Sequence, residues 1–183
     1  MAQTTTREAN KENERTQKAR LRTPTGFKEE EAKEIAKQLN GVLADCFTLY
    51  LKAKNFHWHL SGPHFRDYHL LFEEQAQEIF RMIDPLAERV RRVGSTTIRS
   101  IGDIVRLQKL DDNNADFVEA ADMLEELIED NQILLARLRD ARSCCEEYED
   151  VGSTSLLEEW IDQTEKRIWF LYETSRPHLS GGH

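Results

Sequence analysis

The stretch KNFHWHLSGPHFRDYHLLFEEQAQEIFRMIDPLAERVRRV, residues 54–93, decides the fold. It begins with the end of one helical pattern, which a Ser-Gly-Pro turn at 61–63 interrupts. Apolar residues then recur every three or four positions from about Arg66 to Val93, as in an amphipathic helix, and Gly94 follows as a typical helix stop. Pro85 removes one backbone hydrogen bond from this second helix and predicts a kink there.

Three further segments flank this stretch. A first helix begins at Glu29 and runs for roughly seven turns. A short connector extends from Thr97 to about Gln108, and a third long helix follows it, capped by Asp111-Asp112-Asn113. A break at Gly152-Ser153 separates the third helix from a fourth, which Pro177 ends.

Four long helices without any alternating strand pattern predict an all-α bundle. Only the connection between the second and third helices is long, about 18 residues, which fits a ferritin-like bundle with one crossover. An up-down bundle with an elaborated loop fits as well. We expect a mildly basic tail at 1–26, the bundle at 27–177 and a C-terminal tail at 178–183, with the first boundary at the turn Thr23-Pro24-Thr25-Gly26.

The composition is that of one globular domain of 183 residues, with 39% hydrophobic and 32% charged residues. Residues 1–28 hold seven basic and three acidic residues, a net charge of +4, so the overall −9 leaves −13 for the rest. This negative net charge argues against a nucleic-acid-binding protein. No run is apolar enough for a membrane span or a secretory signal, and three cysteines fit a reducing cytosol, so we expect a cytoplasmic protein.

The histidines are unevenly distributed. Four of the six, His57, His59, His64 and His69, fall within 13 residues, and the other two lie near the C-terminus. On the second helix, His69, Glu73, Asp84 and Glu88 share one narrow arc beside the apolar stripe, at about 0°, 40°, 60° and 100°. Each i, i+4 pair in this set can reach one ion, although Asp84 and Glu88 alone would read as ordinary solvated charges.

The length of the second helix divides these candidate ligands into two groups. His69 and Asp84 are separated by about 22 Å along the helix axis, so one ion cannot contact both. His57 ends the first helix and lies close to His69 and Glu73 along the chain. If all five residues are ligands, a second copy related by a two-fold axis must complete each site. Imidazole and carboxylate ligands without thiolate suit iron, manganese or zinc.

The sequence resembles the Dps family, the mini-ferritins named as DNA-binding proteins from starved cells. The resemblance rests on Lys54-Asn55-Phe56-His57-Trp58-His59-Leu60-Ser61-Gly62-Pro63-His64-Phe65, on His69 with Glu73, and on Asp84-Pro85-Leu86-Ala87-Glu88-Arg89. It implies a ferritin-like four-helix bundle with a short connector helix, assembled into a hollow dodecamer of two-fold dimers. Ferroxidase centres would take His57, His69 and Glu73 from one subunit and Asp84 and Glu88 from its partner, with Glu73 where the family usually has Asp.

The resemblance also implies a function. Fe(II) would be oxidised by hydrogen peroxide or dioxygen, and ferric oxide would be stored in the cavity, which protects DNA from oxidative damage. An acidic pore through which iron enters would involve Asp150 and Glu159, or else this region is an acidic solvated turn. DNA is a further expected partner through the N-terminal tail, with association to the nucleoid, and no membrane partner is expected. The alternative is a non-enzymatic DNA-binding protein that condenses the nucleoid.

Overall fold

The computed structural model describes residue 21 and residues 23–176. Within that part of the chain the secondary structure is entirely helical, with α1 at Glu29–His59, α2 at Phe65–Arg92, α3 at Ile101–Leu107, α4 at Ala120–Glu147 and α5 at Val151–Ser175. The all-α prediction is confirmed: four long helices form the bundle, and the short α3 lies in the connection between the second and third of them. Most of the N-terminal tail, Pro177 and the C-terminal tail lie outside the described residues.

The core lies between the four long helices. Helix α1 packs mainly on α2 and α4, and α4 packs on α5. One continuous cluster of buried side chains joins them, with Leu39 and Phe56 from α1, Phe72 from α2 and Leu138 from α4 among its largest members. None of the helices in the described residues has the length and the apolar character that a membrane crossing requires.

The α1–α2 turn follows the predicted pattern. Helix α1 ends at His59, and Gly62 in the turn has a φ of +103°, which a side chain would disfavour. Helix α2 continues through Pro85 and stops before Gly94, whose φ is +94°. Ser95 N–H donates to the Val90 carbonyl at 3.2 Å and so closes the end of the helix. This turn brings the end of α1 against the first turns of α2.

A buried aspartate holds the long connection against the bundle. Asp45 of α1 is fully buried, and its Oδ1 accepts hydrogen bonds from the backbone N–H groups of Lys109 and Leu110 at 2.7 and 3.4 Å. Its Oδ2 pairs with Arg137 of α4 at 2.7 Å, and Arg137 also donates to the Leu107 carbonyl. The carboxylate therefore joins α1, α4 and the segment after α3.

The predicted start of the third long helix is wrong. Helix α4 begins at Ala120, so Asp111-Asp112-Asn113 does not cap it and the connection is longer than expected. Asn113 Oδ1 accepts from Ala115 N–H at 3.0 Å, and Asn113 Nδ2 donates to Glu126 at 2.7 Å. These bonds hold Asn113 in a turn, because a short polar side chain competes with helix formation. Phe117 lies in this connection, before the helix begins, and is 62% exposed.

The predicted break at Gly152-Ser153 is also misplaced. The chain reverses at Glu149, which has a φ of +56°, and Gly152 lies within α5. A side chain at Gly152 would meet the Arg89 guanidinium, since an added Cβ would lie 2.9 Å from it. The glycine thus leaves room for the Arg89 side chain of α2 and does not form the turn.

Candidate metal centre

His57 and His69 lie directly against each other at the α1–α2 junction. Their rings are stacked, with centroids 3.7 Å apart and an interplanar angle of 22°. His57 Nδ1 is 2.8 Å from the His69 carbonyl, and His69 Nδ1 is 3.0 Å from the His57 carbonyl. A carbonyl oxygen only accepts hydrogen bonds, so each Nδ1 must carry the proton. In a neutral ring with this tautomer, Nε2 keeps its lone pair, as metal ligation requires.

Glu73 brings a carboxylate to the same place. Its Oε2 lies 3.3 Å from His57 Nε2, the ring nitrogen that bears the lone pair in the neutral tautomer. The Oε2 atom also accepts a hydrogen bond from Lys54, and Oε1 accepts one from Gln77 at 2.9 Å. The bond from Lys54, followed by that from Gln77, lowers the pKa of Glu73, so the carboxylate stays ionised and able to bind a cation.

Exposed aromatic side chains surround this half-site, which we define as His57, His69 and Glu73. Phe65 stacks on His69 with centroids 5.0 Å apart, and the Lys54 ammonium lies 5.6 Å from the centre of the Trp58 ring. Phe80 lines the same cavity of about 180 Å³ as Glu73. These three aromatic residues are 45%, 59% and 56% exposed respectively. An apolar exposed rim around polar groups is typical of a surface that a partner covers.

Asp84 and Glu88 do not join the half-site within one chain. Both are exposed on α2, and no hydrogen bond or ion pair engages either carboxylate in the described part of the chain. The same residues, 21 and 23–176, contain no group of three or more histidine, cysteine or acidic side chains placed to hold a metal ion. A site with all five predicted ligands therefore needs a second copy of the chain.

A buried arginine lies between α2, α4 and α5 in the interior of the bundle. Arg167 of α5 is 1% exposed and donates to Asn131 of α4 at 3.0 Å and to Thr164 at 2.6 Å. Its Nη1 lies 3.9 Å from Glu78 of α2, and burial lowers the pKa of the guanidinium. A buried cation among these helices repels a metal cation.

The other two histidines of the α1–α2 region, His59 and His64, make local contacts and do not join the half-site. His59 is exposed, and its Nδ1 lies 2.9 Å from the Asn55 carbonyl of its own helix. His64 precedes α2 in a left-handed conformation, with a φ of +63°, and its ring lies 5.9 Å from that of Tyr68. The sequence placed both outside the ligand set, and nothing in their geometry adds them to it.

Asp150 has a structural role that the sequence did not reveal. It is 2% exposed, precedes α5 as its N-cap and accepts a hydrogen bond from Ser153 N–H at 3.1 Å. The same carboxylate pairs with Arg89 of α2. Ser153 N–H and Arg89 both donate to Oδ1, and the Ser153 hydroxyl donates to Oδ2 at 2.5 Å. Because donors thus occupy both oxygens, the pore prediction now rests on Glu159, which is exposed on α5.

Comparison with protein families matches residues 36–176 to the Ferritin family, described as a ferritin-like domain. A protein of Brevibacillus brevis named DNA protection during starvation protein is 33% identical over 138 residues, which cover 75% of this chain and 91% of the relative. A low temperature-induced protein of Nostoc is 33% identical over 147 residues, which cover 80% and 82% respectively.

Solved structures give the same result. The crystal structure of a Dps protein from Bacillus brevis has a TM-score of 0.78 at 29% identity, covering 82% of this chain and all of the other. A Dps protein from Vibrio cholerae, described as a member of a broad superfamily of ferritin-like diiron-carboxylate proteins, shares the fold at 23% identity and a TM-score of 0.78, covering 84% of this chain and 99% of the other. With the histidine and carboxylate half-site on the α1–α2 face, the chain belongs to the Dps family of ferritin-like proteins.

Proposed function

We propose that the protein is an iron-oxidising storage and detoxification protein. It oxidises Fe(II) with hydrogen peroxide or dioxygen at centres shared between two-fold related subunits, and it stores ferric oxide inside a hollow dodecamer. Each centre uses His57, His69 and Glu73 of one subunit with the partner's Asp84 and the partner's Glu88. The observation that carries the proposal is the pair of stacked histidines whose Nδ1 protons are fixed by backbone carbonyls beside an ionised carboxylate.

The tautomers explain how the half-site binds Fe(II). In the neutral ring with Nδ1 protonated, the lone pair of His57 Nε2 lies 3.3 Å from the negative Oε2 of Glu73, an arrangement that a shared cation stabilises. Imidazole suits Fe(II), whereas carboxylates are hard ligands for both oxidation states. A mixed ligand set thus binds ferrous iron without retaining ferric iron in the same coordination, which allows the oxidised ion to move on.

The two-fold assembly follows from the geometry of α2. An antiparallel partner helix would bring the partner's Asp84 and the partner's Glu88 to the His69 end, about 22 Å from this chain's own Asp84. The exposed Trp58, Phe65 and Phe80 around the half-site would be covered by the same contact. Covering them removes water from the site and strengthens every electrostatic interaction in it.

The reaction consumes both reagents of hydroxyl-radical formation. One hydrogen peroxide molecule accepts one electron from each of two ferrous ions, takes up two protons and leaves as two water molecules. Removal of Fe(II) and peroxide together is what would protect DNA in this proposal. The name of the Brevibacillus brevis relative, DNA protection during starvation protein, agrees with that role.

Peroxide consumption in the absence of DNA tests the proposal. Fe(II) and hydrogen peroxide are added anaerobically to the full-length particle, and residual peroxide and ferric product are measured together. We expect rapid consumption of about one peroxide per two ferrous ions, as the electron count requires. A rate equal to that of buffer, or equal to that of a His57→Ala/His69→Ala particle, would contradict it.

DNA binding is a second candidate function, which the basic residues of the N-terminal tail favour. Residues 1–28 carry +4, and twelve copies on one particle would bind a polyanion by avidity although one tail binds weakly. This prediction lies mostly outside the described residues. The competing reading, a nucleoid-condensing protein without iron chemistry, would show salt-sensitive DNA retardation and no iron-dependent peroxide consumption.

Deleting residues 1–22 is expected to leave iron oxidation at the parental rate, because all five proposed ligands lie at or after His57. The same deletion should weaken DNA binding and flatten its dependence on salt, since fewer phosphate contacts release fewer counterions. Gel retardation over a salt series and the peroxide assay, run on the same preparation, provide the measurement. Unchanged DNA retardation would exclude the tail as the contact.

Glu159→Gln is expected to slow iron uptake at low ferrous concentration, because a negative pore concentrates cations at its mouth. Added salt should reproduce part of the slowing in the parent protein, since it screens exposed charges. Stopped-flow oxidation at micromolar Fe(II) measures the effect. Asp162→Asn is the matched control, an exposed acid of the same helix. Equal rates for the two variants would place the iron route elsewhere, with the Glu146/Glu147 pair as the next candidate.

A further inference from the structure

The root of the N-terminal tail lies across the end of α2. We call residue 21 and residues 23–28 the strap, since they join the tail to the start of α1. Thr25 lies against Gly94, where an added Cβ would come within 2.7 Å of the Thr25 Cγ2 atom. Phe27 packs against the core of the bundle, so the C-terminal half of the strap is held by packing.

Arg91 of α2 holds the other end of the strap. Its Nη2 donates to the Leu21 carbonyl at 2.5 Å, and its Nη1 donates to the Ser95 carbonyl just after the helix. The guanidinium thus joins the strap to the end of α2. Both acceptors are neutral, and no carboxylate pairs with Arg91 in the part of the chain that the structure describes.

The hydrogen bonds of Arg91 to carbonyl groups are weaker than those it would make to an anion. Bonds between arginine and a charged acceptor are roughly twice as strong as neutral ones, and phosphate oxygens match the forked geometry of the guanidinium. Arg92, the next residue, is exposed and has no acidic partner among the described residues either. A phosphate group that reaches the end of α2 therefore meets two cations that no carboxylate neutralises.

We propose that Arg91 is a clasp that holds the root of the tail on α2 and opens when a phosphate-bearing polyanion binds its guanidinium. Opening adds residues 21–28 to the tail, which is about 27 Å of extended chain. The inference rests on the second candidate function for its partner, since nucleic acid is a polyanion of this kind. It does not depend on iron oxidation, because none of these residues belongs to the half-site.

Chymotrypsin cleavage between Phe27 and Lys28 of the assembled full-length particle tests whether the strap is held. We expect slow cleavage in the parent, because Phe27 packs against the core. Sodium tripolyphosphate at millimolar concentration should speed this cleavage about five-fold or more, since a strap held at only one end opens more often. NaCl at the same ionic strength should leave the rate unchanged. Mass spectrometry of the cleaved chain over time provides the rates.

Arg91→Met removes the clasp and should be cleaved about ten-fold faster than the parent in NaCl, because it loses the hydrogen bonds of a charged donor. Tripolyphosphate should not speed its cleavage further, which also shows that the salt leaves the protease unaffected. Arg92→Met is the matched control, since it removes the same charge from an exposed neighbour, and it should keep the parental rate in NaCl. If native mass shows that Arg91→Met does not assemble, Arg91→Gln replaces it with the same expectations.

Either of two results would overturn the inference. Cleavage of Arg91→Met at the parental rate, or an equal gain in Arg92→Met, would show that the Arg91 guanidinium does not hold the strap. A parental rate that tripolyphosphate leaves unchanged would show that phosphate does not open the clasp. Gel retardation of DNA by the same particle tests the second candidate function separately. Absence of retardation together with a response to tripolyphosphate would contradict DNA binding and support the clasp.

Discussion

An Asp84→Asn/Glu88→Gln variant is expected to lose rapid ferrous oxidation by about 100-fold or more, although neither side chain contacts the half-site of its own chain. Each substitution keeps the size of the side chain and removes a charge that binds the metal in the partner's site. Both residues are exposed, so the free energy of unfolding of one chain should change by less than about 0.5 kcal/mol. Stopped-flow oxidation with peroxide, together with native mass, measures both effects.

The control for this variant is Asp67→Asn/Glu74→Gln, which removes two exposed acids from the same helix. It changes the net charge equally and should keep the parental rate. A slow rate in both variants would assign the loss to the general negative field of α2 rather than to ligation. A fast rate in Asp84→Asn/Glu88→Gln would remove these residues from the site.

Asp45→Ala is expected to lower the free energy of unfolding by about 3 to 5 kcal/mol, because it leaves the partly buried Arg137 charge without its partner. It also leaves the N–H groups of Lys109 and Leu110 without their acceptor. For a chain of this size the melting temperature should fall by roughly 10 °C. Thermal unfolding at one fixed protein concentration provides the measurement.

Asp140→Ala is the control for the stability prediction, since Asp140 is an exposed acid on α4, the helix that carries Arg137. Its melting temperature should stay close to that of the parent. If Asp45→Ala melted with the parent, the buried carboxylate would not be what fastens the long connection to the bundle.

Periodicity predicted the four long helices well, because each buries one apolar stripe against its neighbours. It failed at the two ends of α4, because contacts made by side chains determine where the helix begins and where the chain turns after it. Asn113 looks like a helix cap in the sequence, but its bonds to Ala115 and Glu126 hold it in a turn. Gly152 looks like a break, but it is a contact point for Arg89. The ends of this helix thus depend on contacts with residues distant in the sequence.

Spacing also predicted which candidate ligands lie together. His57, His69 and Glu73 meet at the α1–α2 junction as the short turn requires, whereas Asp84 and Glu88 stay apart. Their role as ligands stays a prediction. The sequence did not reveal that Lys54 binds Glu73 or that Asp150 is buried, because a lysine on a helix face and an acid in a turn are usually solvated. The Lys54–Glu73 pair and the burial of Asp150 depend on residues that are distant in the sequence and become neighbours only in the fold.

A mixing experiment tests the shared site most directly. Particles of His57→Ala/His69→Ala and of Asp84→Ala/Glu88→Ala are dissociated, mixed in equal amounts and reassembled, and native mass confirms that both chains are present. Random pairing puts the two different variants together in about half of the dimers. In each such dimer, one site keeps all five ligands, and the other site lacks both histidines and both of the partner's acids. If the sites are shared between subunits, the mixture should recover about a quarter of the rate of the unmutated protein, although neither pure variant is active. Mixed particles that oxidise Fe(II) no faster than either pure variant would contradict it, because a site within one chain cannot be rescued.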